Sequence, residues 1–491
     1  MSRTQQQFQP SPLDIVIIGA GLSGIGAAHA LTEQCPDKRY LILERRNAIG
    51  GTWDLFRYPG IRSDSDMYTL SYSHKPWTGR KAIADGADIK RYIEEMAEEA
   101  GAVHNIRFQR RVISASWSSD DALWTLIAMA TDKDGNEYEE RYQTRFISSC
   151  SGYYSYDEGH RPTFPQEDTF EGQIIHPQFW PEDLDYSGKR VVVIGSGATA
   201  VTLVPAMTEK AAHVTMLQRS PSYVVSRPQT DGVAHSLQKF VPLPMAHQVT
   251  RWKNVLLGSF LYSVARTKPD MFRQQLLKMV QTQVGDAVDM KHFRPSYQPW
   301  DQRLCAVPDG DLFHDLRAGR ASMVTDTIER FTPRGILLSS GKELEADLIV
   351  TATGLKLNAL GDVTLTVDGE PVAFNDCMSY KGMMLSDIPN LIITFGYTNA
   401  SWTLKAELTA NYTCRLLQYM DRKGYRMAVA RHDPSVGVRP FLDFTSGYVL
   451  RAADTLPKQG DRAPWQVHQN YLKDKLTIQY GRIEDGVLQF R

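Results

Sequence analysis

Two stretches of the chain repeat one pattern of apolar and polar positions. In each, a short, largely apolar run, residues 15–18 or 190–194, enters a glycine-rich turn, and apolar residues then recur at helical spacing. A buried strand, a tight turn and a helix in this order form the nucleotide-binding unit of doubly wound α/β proteins. We therefore predict an α/β fold with two dinucleotide-binding, Rossmann-like domains.

The first turn reads Gly-Ala-Gly-Leu-Ser-Gly. Its glycines, Gly19, Gly21 and Gly24, allow the backbone to approach a pyrophosphate, and the N-terminus of the next helix directs N–H groups towards it. A second apolar run, residues 40–43, ends at Glu44, about 20 residues after the last glycine, where an acidic side chain binds ribose hydroxyls. This combination predicts a dinucleotide site in preference to a chance glycine turn.

The second turn has the form G-x-G-x-x-A, and it supplies six candidate contacts: Gly195, Ser196, Gly197, Ala198, Thr199 and Ala200. The next apolar run, residues 214–218, ends at Arg219 and Ser220. An NAD site has an acid at this position, whereas an arginine suits the 2′-phosphate of NADP. Arg219 therefore favours NADPH over NADH, and the alternative is an ordinary surface charge.

The pattern changes to helices over residues 227–302. One apolar stripe contains Trp252, Val255, Leu256, Phe260, Leu261 and Val264. Basic residues dominate the polar positions, and no apolar run approaches the roughly 18 residues that span a bilayer. The favoured interpretation is an inserted helical lobe that packs its stripe over the cleft. A basic amphipathic helix lying on an anionic membrane is the alternative.

Composition excludes several classes of protein. The 491 residues are 42% hydrophobic with a formal net charge of -1, which predicts two or three domains and argues against a nucleic-acid partner. The five cysteines form no C-x-x-C pair and no metal-ligand spacing, so a dithiol flavoprotein and a metal site are both disfavoured. We expect a cytoplasmic protein whose residues 1–12 form a disordered tail, without the apolar core of a signal peptide.

Residues 170–181, between the two turns, have the pattern F-x-G-x-x-x-H-x-x-x-W-P, with fixed positions at Phe170, Gly172, His176, Trp180 and Pro181. Here the sequence resembles the Baeyer–Villiger monooxygenases, class B flavoenzymes that carry this fingerprint. Residues 50–70 are especially similar to the ethionamide-activating subgroup. Taken alone, the stretch also fits an interdomain linker, but the flanking turns favour the family. The resemblance implies a domain-coupling role for His176.

The resemblance also implies which residues bind the cofactors. The FAD contacts, beyond the glycines of the first turn, are Ser23, Glu44, Thr52, Trp53, Asp54, Asp64 and Val112. The NADPH contacts, beyond the second turn, Arg219 and Ser220, are Arg62, Ser63 and Asp64. From the residues alone, Ser63 or Asp64 also fits a cap for a helix that starts near Met67.

Arg303 occupies the position of the family's active-site arginine, in the stretch Pro-Trp-Asp-Gln-Arg-Leu-Cys. A guanidinium stays protonated and can stabilise developing negative charge, and the resemblance nominates Asp64 as the carboxylate that orients it. The family often has Lys immediately before this arginine, where this chain has Gln302. The strictness for NADPH over NADH is therefore left open. The helix that opens at residues 396–406 is expected to start against the flavin.

The resemblance implies an FAD domain of residues 1–155 and 356–491, an NADPH domain of residues 156–226 and 303–355, and a helical insert of residues 227–302. In the implied reaction NADPH reduces FAD, O2 gives a C4a-peroxyflavin, and a ketone becomes an ester or lactone, with thioethers as further substrates. The alternatives are a flavin enzyme that mainly oxidises sulfur or nitrogen, and an FAD-binding redox sensor. Peripheral membrane contact is the alternative to a purely cytoplasmic location. The sequence indicates neither the natural substrate nor the oligomeric state.

Overall fold

Two sheets and a helical lobe make up the computed structural model, which describes residues 11–491. Most of the tail predicted for residues 1–12 lies outside the described residues. The chain first forms β1 (Leu13–Ile18), α1 (Leu22–Gln34), β2 (Tyr40–Leu43), α2 (Thr52–Leu55), α3 (Met67–Leu70), α4 (Gly86–Glu99), β3 (Ile106–Arg107), β4 (Arg110–Ser118), β5 (Leu123–Thr131) and β6 (Glu137–Ser149).

The middle of the chain forms β7 (Tyr154–Gly159), β8 (Gln173–Ile175), β9 (Arg190–Ile194), α5 (Ala198–Met207), β10 (His213–Gln218), β11 (Val224–Arg227), α6 (Gly232–Leu237), α7 (Leu243–Thr267), α8 (Pro269–Val284), β12 (Cys305–Pro308), α9 (Asp311–Arg317), β13 (Ala321–Thr325), β14 (Ile328–Thr332), β15 (Gly335–Leu338), β16 (Glu343–Glu345) and β17 (Leu348–Thr351). The last part forms β18 (Leu355–Leu357), β19 (Thr364–Val367), β20 (Glu370–Pro371), β21 (Ser379–Tyr380), β22 (Met384–Leu385), β23 (Leu391–Ile393), α10 (Trp402–Lys423), β24 (Ala428–Ala430), β25 (Val438–Pro440), α11 (Gly447–Ala452), β26 (Lys458–Gly460), α12 (Tyr471–Asp474) and β27 (Leu488–Phe490).

The first sheet has nine strands in the order β20-β19-β4-β5-β6-β1-β2-β3, with β23 also paired to β6. Strands β3, β2, β1, β6 and β23 run parallel, and Val16 of β1 lies opposite both Leu41 and Ile147. All four residues of β2 are buried, as expected for a strand covered on both faces. Helices α1, α4 and α10 contribute one core, and the antiparallel strands β4 and β5 contribute another through Trp117 and Trp124.

The second sheet, in the order β13-β10-β9-β17-β8, is parallel throughout. Its strand β17 is fully buried, and β9 is buried except at Arg190. Helices α5 and α9 pack against it through Val201 and Leu312, while the β14-β15-β16 hairpins contribute Phe331 to a separate core. Each sheet therefore contains one strand, glycine turn and helix unit, which confirms the predicted α/β fold.

Two segments join the sheets and lie side by side. Strand β7 connects β6 of the first sheet to β8 of the second, and β18 leads from β17 back towards the first sheet. They pair antiparallel, with Leu355 opposite Gly159. A cleft lined by Tyr154 of β7 and Leu355 of β18 therefore lies at this two-stranded connection between the sheets.

Helices α6, α7 and α8 lie in the stretch where a helical lobe was predicted. The predicted inward packing of the α7 stripe holds for Val255, which is buried, and for Trp252, which packs against the same core, but it is wrong for other members. Leu256, Phe260 and Leu261 are exposed to solvent. The buried side of α7 consists mainly of small and polar residues: Ala246, His247, Thr250, Arg251, Val255 and Ala265. That side rests on α3, where Arg251 donates to Ser71 O at 2.7 Å. Because the polar side chains of α7 are used to satisfy α3, Leu256 and Phe260 of the stripe are left outward.

The start of α3 corrects a second expectation. The helix begins at Met67, as predicted, but its cap is Asp66, whose carboxylate accepts the N–H of Thr69 at 3.1 Å. Asp66 stands directly before the helix, where a carboxylate reaches the free N–H groups of the first turn. Ser63 and Asp64 are thus not the capping residues. Within residues 11–491, none of the helices has the length and apolarity needed to cross a bilayer.

Candidate active site

The first glycine turn is a backbone cradle with no room for side chains. Gly19 has a φ of +101°, and a Cβ placed on it would lie 2.7 Å from Cys150 O. Gly51, with a φ of +56°, faces the turn so closely that its Cβ would lie 2.9 Å from Gly21 Cα. Because both walls are bare backbone, N–H groups of the turn and of the α1 start can approach a pyrophosphate, as the fold requires.

Glu44 ends β2 beside this cradle and is almost fully buried. Its Oε2 accepts the N–H of Ala20 at 2.7 Å, and its Oε1 accepts the N–H of Arg46 at 2.8 Å. Burial raises the pKa of Glu44, and these two hydrogen bonds act in the opposite direction. The carboxylate is thereby fixed at the end of the strand with a lone pair free on each oxygen for ribose hydroxyls.

Most of the predicted FAD contacts line one cleft that starts at this cradle. These residues are Gly19, Gly21, Ser23, Glu44, Thr52, Trp53, Asp64 and Val112. They come from five separate segments of the first sheet and its connections, and the fold brings them together. A dinucleotide bound to the cradle would run along this cleft.

Two predicted FAD contacts do not line the cleft. Gly24 lies in α1, where a Cβ would overlap Gly19 O, so its role is the close packing of helix on strand. Asp54 is buried behind the cleft in a cluster of cations, with Lys90 Nζ at 2.7 Å and Arg46 Nη2 at 2.6 Å. These partners hold the pKa of Asp54 below its usual value although burial, the largest influence, acts against them. The Asp54 carboxylate therefore stabilises the fold by pairing with cations from different segments of the chain.

An aromatic wall of the cleft was not predicted. Tyr153 stacks on Trp402, with 4.9 Å between the ring centroids and 8° between the planes. The Trp402 indole N–H donates to Ser23 Oγ at 2.8 Å, which ties the start of α10 to α1. Tyr154 and Tyr156 extend the lining. The one available signal was the run of tyrosines directly after the turn at Gly152. The prediction that the α10 start lies against the flavin cleft is supported by Trp402.

The second glycine turn repeats the cradle of the first. Gly195 has a φ of +144°, and a Cβ there would overlap Ala352 O. Ser196 Oγ lies 3.0 Å from Ser222 Oγ, and Gly197 has open space above it. Ala198 and Thr199, at the start of α5, reach the same cleft that holds the first cradle. The two nucleotide-binding turns therefore open towards one another.

Arg62 and Ser63 line the side of the cleft next to α5. Arg62 Nη1 donates to Asp311 at 2.5 Å, whereas its Nη2 is buried with no partner within the described residues. An unpaired guanidinium N–H at this depth is costly unless an acceptor arrives. The position therefore fits a phosphate or amide oxygen of a bound dinucleotide.

Arg219 and Ser220 follow β10 and are exposed, while Ala200 is buried within α5. Neither Arg219 nor Ser220 lines the shared cleft. Both stand at the carboxyl end of a strand that neighbours the second cradle, which is where the far ribose of a dinucleotide lies in this fold. Their location matches the sequence expectation, although their contact with NADPH stays a prediction.

Arg303 lies where the shared cleft meets a larger cavity of about 1140 Å³. The boundary between them is formed by Asp64, Ser65, Arg303 and Ala400, which line both spaces. Burial lowers the pKa of Arg303, the neighbouring Tyr153 and Asp64 raise it, and the net shift is upward. A charged guanidinium is thus held at the junction.

Asp64, which the resemblance nominates to orient Arg303, is not bonded to it directly. Within residues 11–491, no salt bridge or hydrogen bond joins them, and the Asp64 contact is the donation of Arg227 Nη1 to Asp64 O at 3.2 Å. Burial raises the pKa of Asp64, while Arg303, Arg62 and Arg227 oppose that shift. Asp64 therefore acts on Arg303 through space. The donors of Arg303 stay free for a ligand.

The fingerprint stretch lies at the connection between the sheets. His176 follows β8, its Nε2 lies 3.2 Å from Gly354 O, and its Nδ1 accepts the N–H of Gln178. This pairing fits a neutral ring with its proton on Nε2, and burial lowers the pKa of His176 although the hydrogen bond to Gly354 O acts against that shift. A Cβ on Gly159 would overlap the ring. His176 thus touches both connecting strands, β7 and the segment before β18.

The other fingerprint residues are packing residues. Phe170 is buried against Phe331, and a Cβ on Gly172 would meet Asp347 O at 2.7 Å. Trp180 packs edge-on against Tyr186. The stretch is therefore both a structural linker and the contact between the two parts of the fold, and the coupling role of His176 stays a prediction.

Residues 13–358 match the sequence profile of the flavin-binding monooxygenase-like family. The chain belongs to this family. The match includes both glycine turns, the fingerprint and Arg303, so the prediction of a flavin-dependent monooxygenase is confirmed. Among flavin-binding monooxygenases, the FAD-containing monooxygenase EthA of Mycobacterium tuberculosis is 54% identical over 97% of both chains. The probable FAD-binding monooxygenase AlmA of Acinetobacter sp is 48% identical over 97% of this chain and 96% of its own.

Solved structures show the same fold over almost the whole length of this flavin-binding monooxygenase. Cyclohexanone monooxygenase bound to ε-caprolactone has a TM-score of 0.73, with 19% identity, 98% of this chain covered and 100% of the other. OTEMO in complex with FAD and NADP has a TM-score of 0.72, with 20% identity and the same coverage. The predicted fold similarity to Baeyer–Villiger monooxygenases is thereby confirmed.

Proposed function

We propose that this flavin monooxygenase uses FAD, NADPH and O2 to convert ketones into esters or lactones, and that it also oxidises thioethers. The overall reaction consumes one ketone, one O2, one NADPH and one proton, and it yields one ester, one NADP+ and one water. FAD fits the first cradle because only bare backbone lines it, and NADPH fits the second because of the unpaired Arg62 Nη2.

The observation that carries this proposal is the position of Arg303. Its charged guanidinium lies at the junction of the cofactor cleft and the large cavity, and its donors have no partner in the described protein. When a carbonyl is attacked, negative charge develops on its oxygen, and a preorganised cation there stabilises the transition state. A substrate in the large cavity would have its carbonyl within reach of Arg303, which also lines the cleft whose residues would hold FAD.

Asp64 supports this arrangement through its charge, which favours the protonated guanidinium of Arg303 through space. Burial raises the pKa of Asp64 and so opposes that charge, whereas Arg303, Arg62 and Arg227 favour it. Bound FAD supplies the redox chemistry, accepting a hydride from NADPH and activating O2. No side chain is required as a nucleophile, so the protein's task is to bind, orient and stabilise charge.

The proposal is tested with purified holoprotein under air, by counting product and hydrogen peroxide for each NADPH consumed. A panel of ketones and thioethers is supplied, and products are identified by mass spectrometry. Ester or lactone formed in proportion to NADPH supports the proposal. Sulfoxide with no ester would establish the alternative of a sulfur- and nitrogen-oxidising enzyme. Hydrogen peroxide alone with every substrate would contradict both and point to a sensor or an oxidase.

A further inference from the structure

The outer side of α7 carries a continuous apolar face. Met245, Val249, Leu256 and Phe260 are exposed and recur with the spacing of one helical stripe. Phe240, just before the helix, is 84% exposed, and Phe260 is 63% exposed. Isolated exposed apolar residues are common, but a contiguous set of large ones marks an interaction surface.

The opposite side of the same helix lines the large cavity. Asn254, Gly258 and Tyr262 face that space, together with Arg303 at its inner end. Helix α7 therefore separates the cavity that would hold the substrate from whatever covers the apolar face. A lipophilic molecule that leaves a lipid phase at this face would therefore need to pass only α7 to reach the large cavity.

The helical lobe is strongly basic. Over residues 232–284 its charged side chains are Lys239, Arg251, Lys253, Arg266, Lys268, Arg273 and Lys278, against Asp270 alone. Arg251, Lys253 and Arg266 pair with acids elsewhere in the protein. Within the described residues, Lys239, Lys268 and Lys278 form no ion pair and are exposed. Exposed cations therefore lie near both ends of the apolar face of α7.

We propose that the apolar face of α7 docks on the surface of a membrane that contains anionic lipids. Phe240, Met245, Val249, Leu256 and Phe260 would enter the boundary between headgroups and acyl chains, with Lys239 and Lys268 against lipid phosphates. An interfacial helix with an apolar stripe and basic flanks binds in this way. Docking would place the substrate cavity beside the lipid phase and favour lipophilic substrates, a consequence that rests on the proposed function.

Charge decides between a membrane and a second copy of this chain. A symmetric dimer through the α7 face would bring two basic lobes together, and like charges at an interface oppose association. An anionic lipid surface instead complements the same cations and attracts them over about a Debye length. The charge pattern thus favours lipid as the occupant of this face.

The test is co-sedimentation of the holoprotein with vesicles of phosphatidylcholine containing phosphatidylglycerol, compared with vesicles of phosphatidylcholine alone. We expect binding to the anionic vesicles that weakens with salt. The variant Leu256→Ser/Phe260→Ser should lose at least about tenfold of this binding, since two large apolar side chains leave the lipid. Its matched control is Val438→Ser/Leu450→Ser, which changes two side chains of similar exposure outside residues 232–284 and should bind as the wild type does.

A second variant distinguishes loss of the membrane contact from misfolding of Leu256→Ser/Phe260→Ser. Lys239→Glu/Lys268→Glu alters exposed charges alone and should also abolish binding to the anionic vesicles. Wild-type protein that stays in the supernatant, or an apolar-face variant that sediments normally, would overturn the proposal. So would a wild-type dimer in analytical ultracentrifugation that Leu256→Ser/Phe260→Ser converts to a monomer without any vesicle binding. Because sedimentation needs no turnover, its outcome is independent of whether ketones are substrates.

Discussion

Lys405 and Asp474 form a buried ion pair behind the wall of the cofactor cleft. Their charged groups are 2.7 Å apart, and the side chains are 3% and 2% exposed. Tyr397, which lines the cleft, donates its hydroxyl to the same Asp474 oxygen at 2.8 Å. The carboxylate belongs to α12 near the end of the chain, so the C-terminal segment supports the loop that leads into α10.

Removing one member of this pair should be strongly destabilising. Asp474→Ala leaves the Lys405 ammonium buried without a counter-charge, and we expect a loss of about 3–5 kcal/mol in the free energy of unfolding. Urea unfolding of the holoprotein measures the difference. Glu158→Ala is the control, because Glu158 pairs with Lys356 at the surface, and it should cost less than about 1 kcal/mol. Equal effects of the two substitutions would contradict this account.

Two helical glycines should respond oppositely to the same substitution. A Cβ on Gly24 of α1 would overlap Gly19 O, whereas a Cβ on Gly258 of α7 meets nothing within 4 Å. Gly24→Ala should therefore separate α1 from β1 and lower both the thermal stability and the FAD content. Gly258→Ala should leave stability unchanged or raise it by up to about 1 kcal/mol, since alanine favours the helix. Flavin absorbance per protein and a thermal melt report both effects. Full FAD content in Gly24→Ala would count against the packing role.

The parts of the site that are local in sequence could be predicted. Each glycine turn is a short run whose backbone conformation follows from the absence of side chains, and Glu44 follows from its distance to that turn. The wall formed by Tyr153 and Trp402 could not be predicted, because its members are far apart in the sequence and only the fold stacks them. Asp54 shows the converse error. Its neighbours in sequence suggested the cofactor, but it is surrounded by cations from other segments.

The helical lobe shows a different limit. The apolar stripe of α7 was visible in the sequence, and burial of that stripe was the natural expectation. Which side of a helix turns inward depends on its neighbour, and α3 offers backbone oxygens that Arg251 satisfies. Polar satisfaction of α3 therefore outweighed burial of Leu256 and Phe260. The sequence of α7 contains no information on the hydrogen-bonding needs of α3.

Acid should lower the free energy of unfolding of the protein because of His247. The imidazole is fully buried on α7 and lies 2.9 Å from Ser71 Oγ. Burial, with Arg251 nearby, lowers the pKa of His247 to about 4. Because its folded pKa lies below the unfolded value of about 6.5, the unfolded chain takes up a proton first as the pH falls. Stability is therefore complete above about pH 6.5 and is lost between that pH and about pH 4.

The size of this acid-induced loss of stability follows from the difference between the folded and unfolded pKa values of His247. The loss attributable to His247 is at most about 3 kcal/mol at the acid end of the window. Urea unfolding at several pH values measures it. His247→Gln keeps a polar atom for Ser71 but cannot take up the proton, so it should flatten the slope between pH 6.5 and 4. His104→Gln, at an exposed position, is the matched control. An unchanged slope in His247→Gln would assign the acid sensitivity to other groups.

Arg219 should set the preference for NADPH. Its guanidinium is exposed beside the second cradle, at the position expected for the 2′-phosphate. Arg219→Gln removes a charge-assisted contact of about 1.5–3 kcal/mol, so KM for NADPH should rise about 10- to 100-fold. NADH has no such phosphate, and its turnover serves as the internal control, which should be nearly unchanged. A parallel loss with both nucleotides would show that Arg219 acts on the fold instead of on the phosphate.

Arg303 should be required for oxygenation and dispensable for cofactor binding. Removing one preorganised donor from a site of developing charge typically costs about 100- to 1000-fold in rate, and we expect at least that loss of ester from Arg303→Ala. FAD should stay bound, since the cradle around Gly19 and Gly51 is built from other segments. Arg303→Lys keeps the charge but not the planar donor fork, so it should recover only part of the activity. Arg294→Ala, at an exposed surface position, is the control for loss of an arginine elsewhere. Near-normal ester formation by Arg303→Ala, measured with the same ketone and with full flavin content, would remove this residue from the chemistry and with it the observation on which the proposed function rests.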